Sequence, residues 1–372
     1  MRRVYLSELR PGMVLGEHIY SIDNEHVIVP KGSALNENLI SKLRLQTSIQ
    51  ILIEDEEDES SVPMFSRERM EEQESLPDPD GLSHAEAVRA TPEFKQFKED
   101  FEETFSVFGN KINNVLTGNA DFEPAQLTEP VMDLIHNTSS PSGMFDMLHS
   151  LRQYSDETYA HSVNVALIAN ALGQWMRLPE EDLEVLTQAG LLHDVGKLLV
   201  PREILAKPAM LSAEEREIIE QHPRKGYDLV KYTHIDERIK NAILMHHERC
   251  DGTGYPSRLT GDKIDAFAKY VAIADVYDAI TSARVYRDAL CPFIAIELME
   301  SEGLQKYDPQ GVMTFMTNVV NVYLFNRVRL SDGSTGDIVF INRDKFSRPT
   351  VRVESRYIDL AHTPELFIEE II

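Results

Sequence analysis

A series of histidines and acids across the middle of the chain could bind metal ions. Its members are Glu157, His161, His193, Asp194, His222, His246, His247 and Asp275. About eight nitrogen and oxygen donors are more than one tetrahedral zinc ion uses, but they suit two or three octahedral ions bridged by a carboxylate. Donors of this kind without a thiolate favour iron or manganese. Each histidine taken singly could equally be a structural residue, so the metal hypothesis depends on the whole series.

Adjacent metal ions of this kind promote the hydrolysis of phosphate esters. They activate a water to hydroxide at neutral pH, and they stabilise the attacking and leaving oxygens of a phosphoryl displacement. The residues alone therefore predict a metallo-phosphohydrolase with a metal-activated hydroxide as its nucleophile.

The spacing of these residues indicates which elements position them. Glu157 and His161 are four residues apart and lie on one face of a helix. The neighbours His193 and Asp194 would point about 100° apart on a helix, so they reach one centre only if the helix ends there. Asp275 lies in an apolar helical run, where an acid is costly unless it is paired or bound to metal.

The predicted fold class is mainly α, with segments of different pattern at the two ends. Residues 1–54 predict a small α/β module with short strands at 9–14, 26–30 and 48–53 and a helix at 36–45, and the acidic residues 55–80 predict a solvated linker. Residues 81–140 predict a helical connector, and 141–322 an all-helical domain that contains the metal series. Residues 323–372 alternate like strands, with Asp332-Gly333 as a hairpin turn, and predict a short β-rich C-terminal appendage.

Charge and hydropathy argue against several kinds of partner. The 372 residues carry 37 basic and 62 acidic side chains, for a net charge of −25, which repels nucleic acid. No apolar run approaches the about 20 residues of a membrane-spanning helix, and the start lacks the apolar centre of a signal peptide. The two cysteines form no disulfide framework. We therefore expect a soluble, cytoplasmic protein that binds neither nucleic acid nor membranes.

An aromatic stripe follows a strong helix start at Thr91-Pro92-Glu93. Five phenylalanines recur along it at helical spacing: Phe94, Phe97, Phe101, Phe105 and Phe108. Such a stripe must be covered by other apolar groups. Packing within the chain is the favoured interpretation, and a homodimer through this helix is the alternative.

The chain resembles the HD-GYP domain of the HD phosphohydrolase superfamily over about residues 145 to 322. The resemblance rests on two motifs, His193-Asp194-Val195-Gly196-Lys197 and His246-His247-Glu248-Arg249-Cys250-Asp251-Gly252-Thr253-Gly254-Tyr255-Pro256. It implies an all-helical domain that hydrolyses cyclic di-GMP to the linear dinucleotide pGpG. Some members of the family continue to GMP, and a subset acts on cyclic GMP-AMP.

The resemblance also implies roles for residues at the centre of the site. His193, Asp194, His222, His246, His247 and Asp275 match the metal ligands of the family, and we expect Glu157 and His161 to bind metal with them. Glu157 and His161 match an element whose acid accompanies a trinuclear rather than a dinuclear site. Lys197 matches a lysine that contacts the substrate phosphate, and we expect Lys197 and Asp194 to serve catalysis.

Further residues are implied for the substrate and for a partner. Arg284, Tyr286 and Arg287 match an element that contacts the phosphates and base of the nucleotide. The Gly254-Tyr255-Pro256 loop borders the site in the family and has been linked there to diguanylate cyclase partners.

Two alternatives to a cyclic di-GMP phosphodiesterase stay open at this point. The chain could be a non-catalytic receptor for a cyclic dinucleotide, whose N-terminal module signals to a partner. It could also be an HD-type hydrolase of another nucleotide, such as cyclic GMP-AMP. A complete set of metal ligands argues against the receptor, and the Gly-Tyr-Pro loop argues against a plain HD hydrolase.

Overall fold

The computed structural model of the chain falls into two compact units, Met1–Asp78 and Pro79–Ile372. It describes residues 2–5, 12–15, 19–20, 27–29, 31–35, 50–53, 84–116, 124–138, 140–151, 158–205, 207, 211–282 and 290–372. Within these ranges, every helix is too short or too polar to cross a membrane.

Short strands make up most of the described part of the first unit. They are β1 (Arg2–Tyr5), β2 (Ile19–Tyr20), β3 (Val27–Val29) and β4 (Gln50–Ile53). β1 pairs antiparallel with β4, and β2 pairs antiparallel with β3. The strands expected at 26–30 and 48–53 are confirmed as β3 and β4. Of the strand expected at 9–14, the described residues form only an isolated bridge between Val14 and Ala34. The helix expected at 36–45 and the linker at 55–80 lie outside the described residues.

Helices dominate the second unit, as the sequence predicts. In the described ranges they are α1 (His84–Ala90), α2 (Pro92–Leu116), α3 (Pro124–His136), α4 (Pro141–Leu151), α5 (Thr158–Trp175), α6 (Glu180–Leu192), α7 (Arg202–Leu205), α8 (Ala213–Glu220), α9 (His222–Val230), α10 (Glu237–Met245), α11 (Ala266–Thr281), α12 (Pro292–Leu298), α13 (Leu304–Lys306) and α14 (Pro309–Val322). A 3₁₀ turn (Val195–Leu199) follows α6, and a π-turn (Met299–Gly303) follows α12.

The aromatic stripe of α2 packs within the chain. The helix begins at Pro92, and Thr91 Oγ1 accepts a hydrogen bond from the backbone N–H of Phe94 at 3.1 Å, which caps its first turn. Four of the five phenylalanines are buried, and Phe105 is partly buried. The helix packs against α1, α3 and α5, where Phe108 meets Tyr159 edge to face at 5.8 Å. The surface on which the dimer hypothesis depended is therefore largely covered by the chain itself.

Four helices, α5, α6, α10 and α11, enclose the region that contains the metal series. α5 packs against α6 and α11, and α10 packs against both α6 and α11. A side chain at Gly190 of α6 would lie 2.8 Å from the Cα atom of Ala166 in α5, so glycine is what allows these two helices to approach. Buried apolar residues lie on nearly every face of α5 and α11, which makes them the central helices of the unit.

A five-stranded antiparallel sheet follows α14 and confirms the β-rich C-terminus. Its strands are β5 (Arg327–Leu330), β6 (Thr335–Phe340), β7 (Thr350–Val353), β8 (Arg356–Asp359) and β9 (Ile368–Ile371), in the order β8-β7-β6-β5-β9. The β5–β6 hairpin turns at Gly333, whose φ of 84° favours glycine. Ile338 and Val351 pair across the sheet and belong to the same core as the helices.

Candidate metal centre

The seven described members of the series converge on one point, and several of them lie where a helix begins or ends. α6 ends at Leu192, His193 caps it, and Asp194 opens the following 3₁₀ turn. His222 begins α9, and His246 follows the last residue of α10. His161 and Asp275 reach the same point from the interiors of α5 and α11. The expectation that a helix ends at His193 and Asp194 is confirmed.

Backbone carbonyls fix the orientation of three imidazole rings. The Nδ1 atom of His193 lies 2.7 Å from the carbonyl oxygen of Gly190, and that of His222 lies 2.7 Å from the carbonyl oxygen of Ile219. Nδ1 of His246 lies 3.0 Å from the carbonyl oxygen of Ile243. A carbonyl only accepts, so each Nδ1 carries the proton, and each Nε2 presents a lone pair to the centre. This is the arrangement that orients histidine ligands in metal sites.

Asp194 lies between two sets of imidazoles. Its Oδ1 atom is 3.1 Å from Nε2 of His222 and 3.6 Å from Nε2 of His246. Its Oδ2 atom is 3.2 Å from Nε2 of His193 and 3.5 Å from Nε2 of His161. One carboxylate thus offers an oxygen to each set, as a bridging ligand between two ions would.

Asp275 closes the centre on the side of α11. Its Oδ1 atom lies 3.3 Å from Nε2 of His161 and 4.0 Å from Nε2 of His193, and its Oδ2 atom lies 3.9 Å from Nδ1 of His247. Its buried carboxylate therefore has partners, as the sequence required of an acid in an apolar helix.

Asp278, which sequence reasoning did not single out, holds His161 in place. Its Oδ2 atom lies 2.8 Å from Nδ1 of His161, while Oδ1 accepts hydrogen bonds from Asn164 at 3.0 Å and from Ser282 at 2.9 Å. Asp278 follows Asp275 by three residues, so both point from one face of α11 towards α5. A second acid on the same face of that apolar helix was the available signal.

The environment keeps the acids ionised and two of the imidazoles neutral. Burial acts to raise the pKa of Asp194, but the positive charge of Lys197 and the polar groups around the carboxylate outweigh burial and hold the pKa well below the ordinary value. Burial and neighbouring imidazoles lower the pKa of His246 to about 4, and they lower the pKa of His247 well below its usual range. Anionic oxygens and uncharged nitrogens are the forms that bind metal.

Unsatisfied atoms at the centre fit a bound cation. Among the described residues, Nε2 of His161, Nε2 of His193 and Oδ1 of Asp194 are buried without a hydrogen-bond partner, which is costly inside a protein. The Nε2 atoms of His222 and His246 face each other at 3.2 Å, although both present lone pairs. A cation between them would turn this repulsion into coordination.

Two groups of donor atoms could each hold an ion, and they share Asp194. One group comprises Asp194, His222, His246 and His247, and the other comprises His161, His193 and Asp194. Within each group, the donor atoms all lie within 4.8 Å of one another. The structure thus brings together seven of the eight residues of the series, while Glu157 lies outside the described residues.

Two glycines bring the 3₁₀ turn and α9 into contact beside the centre. A Cβ atom at Gly196 would lie 1.9 Å from the carbonyl oxygen of His222 and 2.6 Å from the amide nitrogen of Gly226. Only a glycine permits this approach, and it places Asp194 against His222. Lys197 follows in the same turn, and its Nζ atom donates to Oδ2 of Asp194 at 2.5 Å. Its side chain is 26% exposed, so the cation is accessible from solvent.

The loop after α10 covers the other side of the centre. Buried Glu248 accepts hydrogen bonds from the backbone N–H groups of Ser257 at 2.7 Å and Leu259 at 2.8 Å. The Tyr255 ring lies 4.6 Å from that of His247, tilted by 30°. A Cβ atom at Gly254 would lie 2.5 Å from the carbonyl oxygen of His247. The role of Glu248 as the anchor of this loop could not be seen in the motif.

The substrate residues expected from the sequence are only partly described. Lys197 lies at the centre, whereas Arg284, Tyr286 and Arg287 lie outside the described residues. The Gly254-Tyr255-Pro256 loop borders the centre, with a cis peptide bond between Tyr255 and Pro256.

Comparison with known proteins agrees with the geometry. Residues 139–311 match the family model described as the HD domain. A cyclic di-GMP phosphodiesterase of Pseudomonas aeruginosa is 34% identical over 233 residues, which cover 61% of this chain and 56% of that protein. A cyclic di-GMP phosphodiesterase response regulator of Xanthomonas campestris pv. campestris is 35% identical over 157 residues, 42% of each chain. A 3'3'-cGAMP-specific phosphodiesterase of Vibrio cholerae is 33% identical over 217 residues, 57% of this chain and 40% of that protein.

These similarities confirm the resemblance seen in the two motifs. Residues 139–311 are similar to the HD domain, and several relatives of the chain are named as cyclic di-GMP phosphodiesterases. It spans about half the length of the curated relatives that it matches.

Proposed function

We propose that the chain is a metal-dependent phosphodiesterase that hydrolyses cyclic di-GMP to pGpG, with cleavage on to GMP as a second step. The observation that carries this proposal is the buried position of Asp194 between two sets of imidazoles, where three buried donor atoms of the described residues lack a hydrogen-bond partner. Relatives named as cyclic di-GMP phosphodiesterases support the choice of substrate.

Iron or manganese ions, two or three per site, are the proposed cofactor. His161, His193, Asp194, His222, His246, His247 and Asp275 would hold them, with Glu157 as a further ligand. When bound, such ions supply the Lewis acidity that activates water and offsets charge on a phosphate. Nitrogen and oxygen donors without a thiolate suit these metals.

The chain's own residues then have separable tasks. The carbonyl-bound imidazoles of His193, His222 and His246 keep their donor atoms aimed at the centre without a conformational search. Lys197 presents an accessible cation beside Asp194, where it would bind a non-bridging phosphate oxygen. A local cation matters because the chain as a whole carries a charge of −25 and repels a dinucleotide anion.

Arg284, Tyr286 and Arg287 are the further proposed contacts to the substrate. Two guanidinium groups would bind phosphate oxygens in a forked geometry that lysine cannot reproduce. Tyr255, whose ring lies beside that of His247, would restrict the entrance on that side of the centre.

The test is turnover by the full chain. Protein purified without oxygen and reconstituted with Fe(II) or Mn(II) is incubated with cyclic di-GMP, and products are separated by chromatography. We expect pGpG from the wild type and from His234→Ala, an exposed histidine outside the cluster, but none from His193→Ala. Full activity in His193→Ala would refute the proposed centre. Binding of cyclic di-GMP by equilibrium dialysis, without any product, would identify a receptor instead.

A second candidate substrate is 3'3'-cGAMP, because a relative of similar identity is named as specific for it. The two cyclic dinucleotides differ in one base, so the centre described here cannot by itself discriminate between them. The ratio of the kcat/KM values for cyclic di-GMP and 3'3'-cGAMP shows which of them is the preferred substrate. A ratio that favours 3'3'-cGAMP would replace the proposed substrate while leaving the centre intact.

Partner, assembly and location are proposals of the same standing. We propose that a diguanylate cyclase binds the Gly254-Tyr255-Pro256 loop, where Pro256 is exposed. If the cyclase still copurified with a Pro256→Glu variant, the loop would not be its binding site. The cytoplasm is the proposed compartment, since both cysteines are free. A homodimer through α2 would have to use residues of that helix outside the buried stripe. Light scattering of the purified protein measures its molecular mass and so distinguishes a dimer from a monomer.

A further inference from the structure

A cleft of about 550 Å³ separates the helical part of the second unit from its C-terminal sheet. One wall comes from α12, the π-turn, α13 and α14, and the other from residues 343–348 and 360–364. It has no residue in common with the metal centre. Its volume falls within the roughly 300–1,000 Å³ of small-molecule sites.

The floor of the cleft is apolar. Met316, Phe346 and Leu360 are buried there, while Leu304 is 43% and Met313 is 40% exposed. Large apolar side chains left this open to solvent beside a concavity are typical of a ligand site. The unbranched methionines can adapt their shape to an apolar body.

The acids of the helical wall already have partners from the opposite wall. Glu297 pairs with Arg348 at 2.8 Å. Glu300 accepts hydrogen bonds from both the backbone N–H and the hydroxyl of Ser347. These bonds cross the cleft and hold its two walls together. Arg348 neutralises Glu297, whereas the donors from Ser347 are uncharged and leave Glu300 with its negative charge.

The rim of the cleft is different. Arg343 and Lys345 are exposed, and neither side chain contacts an acid or other polar partner among the described residues. Asp344 lies between them, so the rim carries one excess positive charge, which lies apart from the carboxylate of Glu300 on the helical wall. The excess stands out in a chain whose net charge is −25.

The π-turn (Met299–Gly303) lines the cleft through Glu300 and Ser301. Such turns are rare within helices and occur frequently at functional sites. It is an observation independent of the volume and charge of the cleft, and it points to the same place.

We propose that this cleft binds a small amphipathic anion. Its apolar body would lie against Met313, Met316 and Phe346, and its carboxylate, sulfonate or phosphate would contact Arg343 and Lys345. The proposal does not depend on the phosphodiesterase activity, because binding can be measured without metal or dinucleotide.

The probe for the test is 8-anilinonaphthalene-1-sulfonate, a fluorescent aromatic sulfonate, titrated into the full, folded chain without added metal. Trp175 is the single tryptophan of the sequence, and its ring lies 6.1 Å from that of Phe315, which precedes Met316. We expect saturable binding with energy transfer from Trp175 to the probe. Saturable binding without energy transfer would place the probe elsewhere and overturn the proposal.

Two variants localise the probe. Arg343→Glu with Lys345→Glu should weaken binding about tenfold, because two ion pairs are replaced by repulsion. Lys263→Glu with Arg356→Glu makes the same change of net charge at exposed residues outside the cleft and should bind like the wild type. Equal weakening in both would reduce the effect to overall charge and refute the site.

Ala361→Phe leaves the net charge unchanged and places a large side chain in the cleft, so it should abolish saturable binding of the probe. This variant tests the site independently if the Arg343→Glu, Lys345→Glu variant does not fold. Competitors below their micelle concentrations then identify the head group. Decanoate and decyl phosphate should displace the probe, and their relative strength shows whether a carboxylate or a phosphate is preferred. Decyltrimethylammonium has the same chain with the opposite charge, and equal displacement by it would contradict an anion site.

Discussion

Replacement of Gly196 by alanine tests how the centre is assembled. The added Cβ atom would lie 1.9 Å from the carbonyl oxygen of His222, whereas ordinary contacts begin at 3.4 Å. The 3₁₀ turn and α9 must therefore separate by about 1.5 Å, since backbone atoms on both sides cannot rotate away. Coordination bonds tolerate changes of only about 0.2 Å. Asp194 and His222 could then no longer share an ion.

We expect two measurable losses in Gly196→Ala. Forcing extra volume into a packed contact costs about 1–3 kcal/mol, which lowers the Tm of a unit of this size by roughly 2–4 °C for each kcal/mol. Affinity for Mn(II) should fall by about 10–100-fold, as it does when a ligand is misplaced. Differential scanning calorimetry measures the first loss, and isothermal titration calorimetry measures the second.

Gly303→Ala is the matched control. Its Cβ atom would meet Met299 at 3.5 Å, an ordinary contact, and alanine stabilises a helix relative to glycine by about 1 kcal/mol. We expect a Tm equal to or above that of the wild type and unchanged Mn(II) affinity. If Gly196→Ala behaved like this control, the close approach of the turn to α9 would not be what positions the centre.

Three further predictions concern the surroundings of the centre. Asp278→Asn keeps the size of the side chain but removes the charge that orients His161, so Mn(II) affinity should fall about tenfold; an unchanged titration isotherm would exclude this role. Glu248→Gln replaces an acceptor of two backbone N–H groups, at Ser257 and Leu259, so amide exchange of these residues should accelerate; protection equal to the wild type would argue against Glu248 as the anchor. Removal of metal by a chelator should lower the Tm, and readdition of Mn(II) should restore the Tm, since a ligand that binds the folded state stabilises that state. A Tm that is the same with and without metal would contradict a metal centre at these buried donors.

Much of the centre could be predicted because its donors are unusual residues at readable positions. An acid such as Asp275 in an apolar helix must have partners, and neighbours such as His193 and Asp194 require a helix end. Both inferences depend only on local geometry. The helices could be predicted for the same reason, since the cap at Thr91 and the capping box at Ser212 act within one turn.

The remainder depends on contacts between segments that are distant in sequence. Asp278 is recognisable only once α5 and α11 are known to pack together, because its partners His161 and Asn164 lie more than a hundred residues earlier. The contact of Gly196 with Gly226 likewise arises from the fold. Glu248 was visible as part of a motif, but its bonds to the loop ahead of it were not.

The C-terminal sheet has a consequence for how the protein can be shortened. Val328, Ile338 and Val351 are fully buried and belong to one core with the helices. A chain cut after α14 would remove these apolar groups from the shared core, and the apolar surface left exposed would favour aggregation. The last fifty residues therefore complete the core of the helical part, and a shortened chain has to keep them for that core to stay covered.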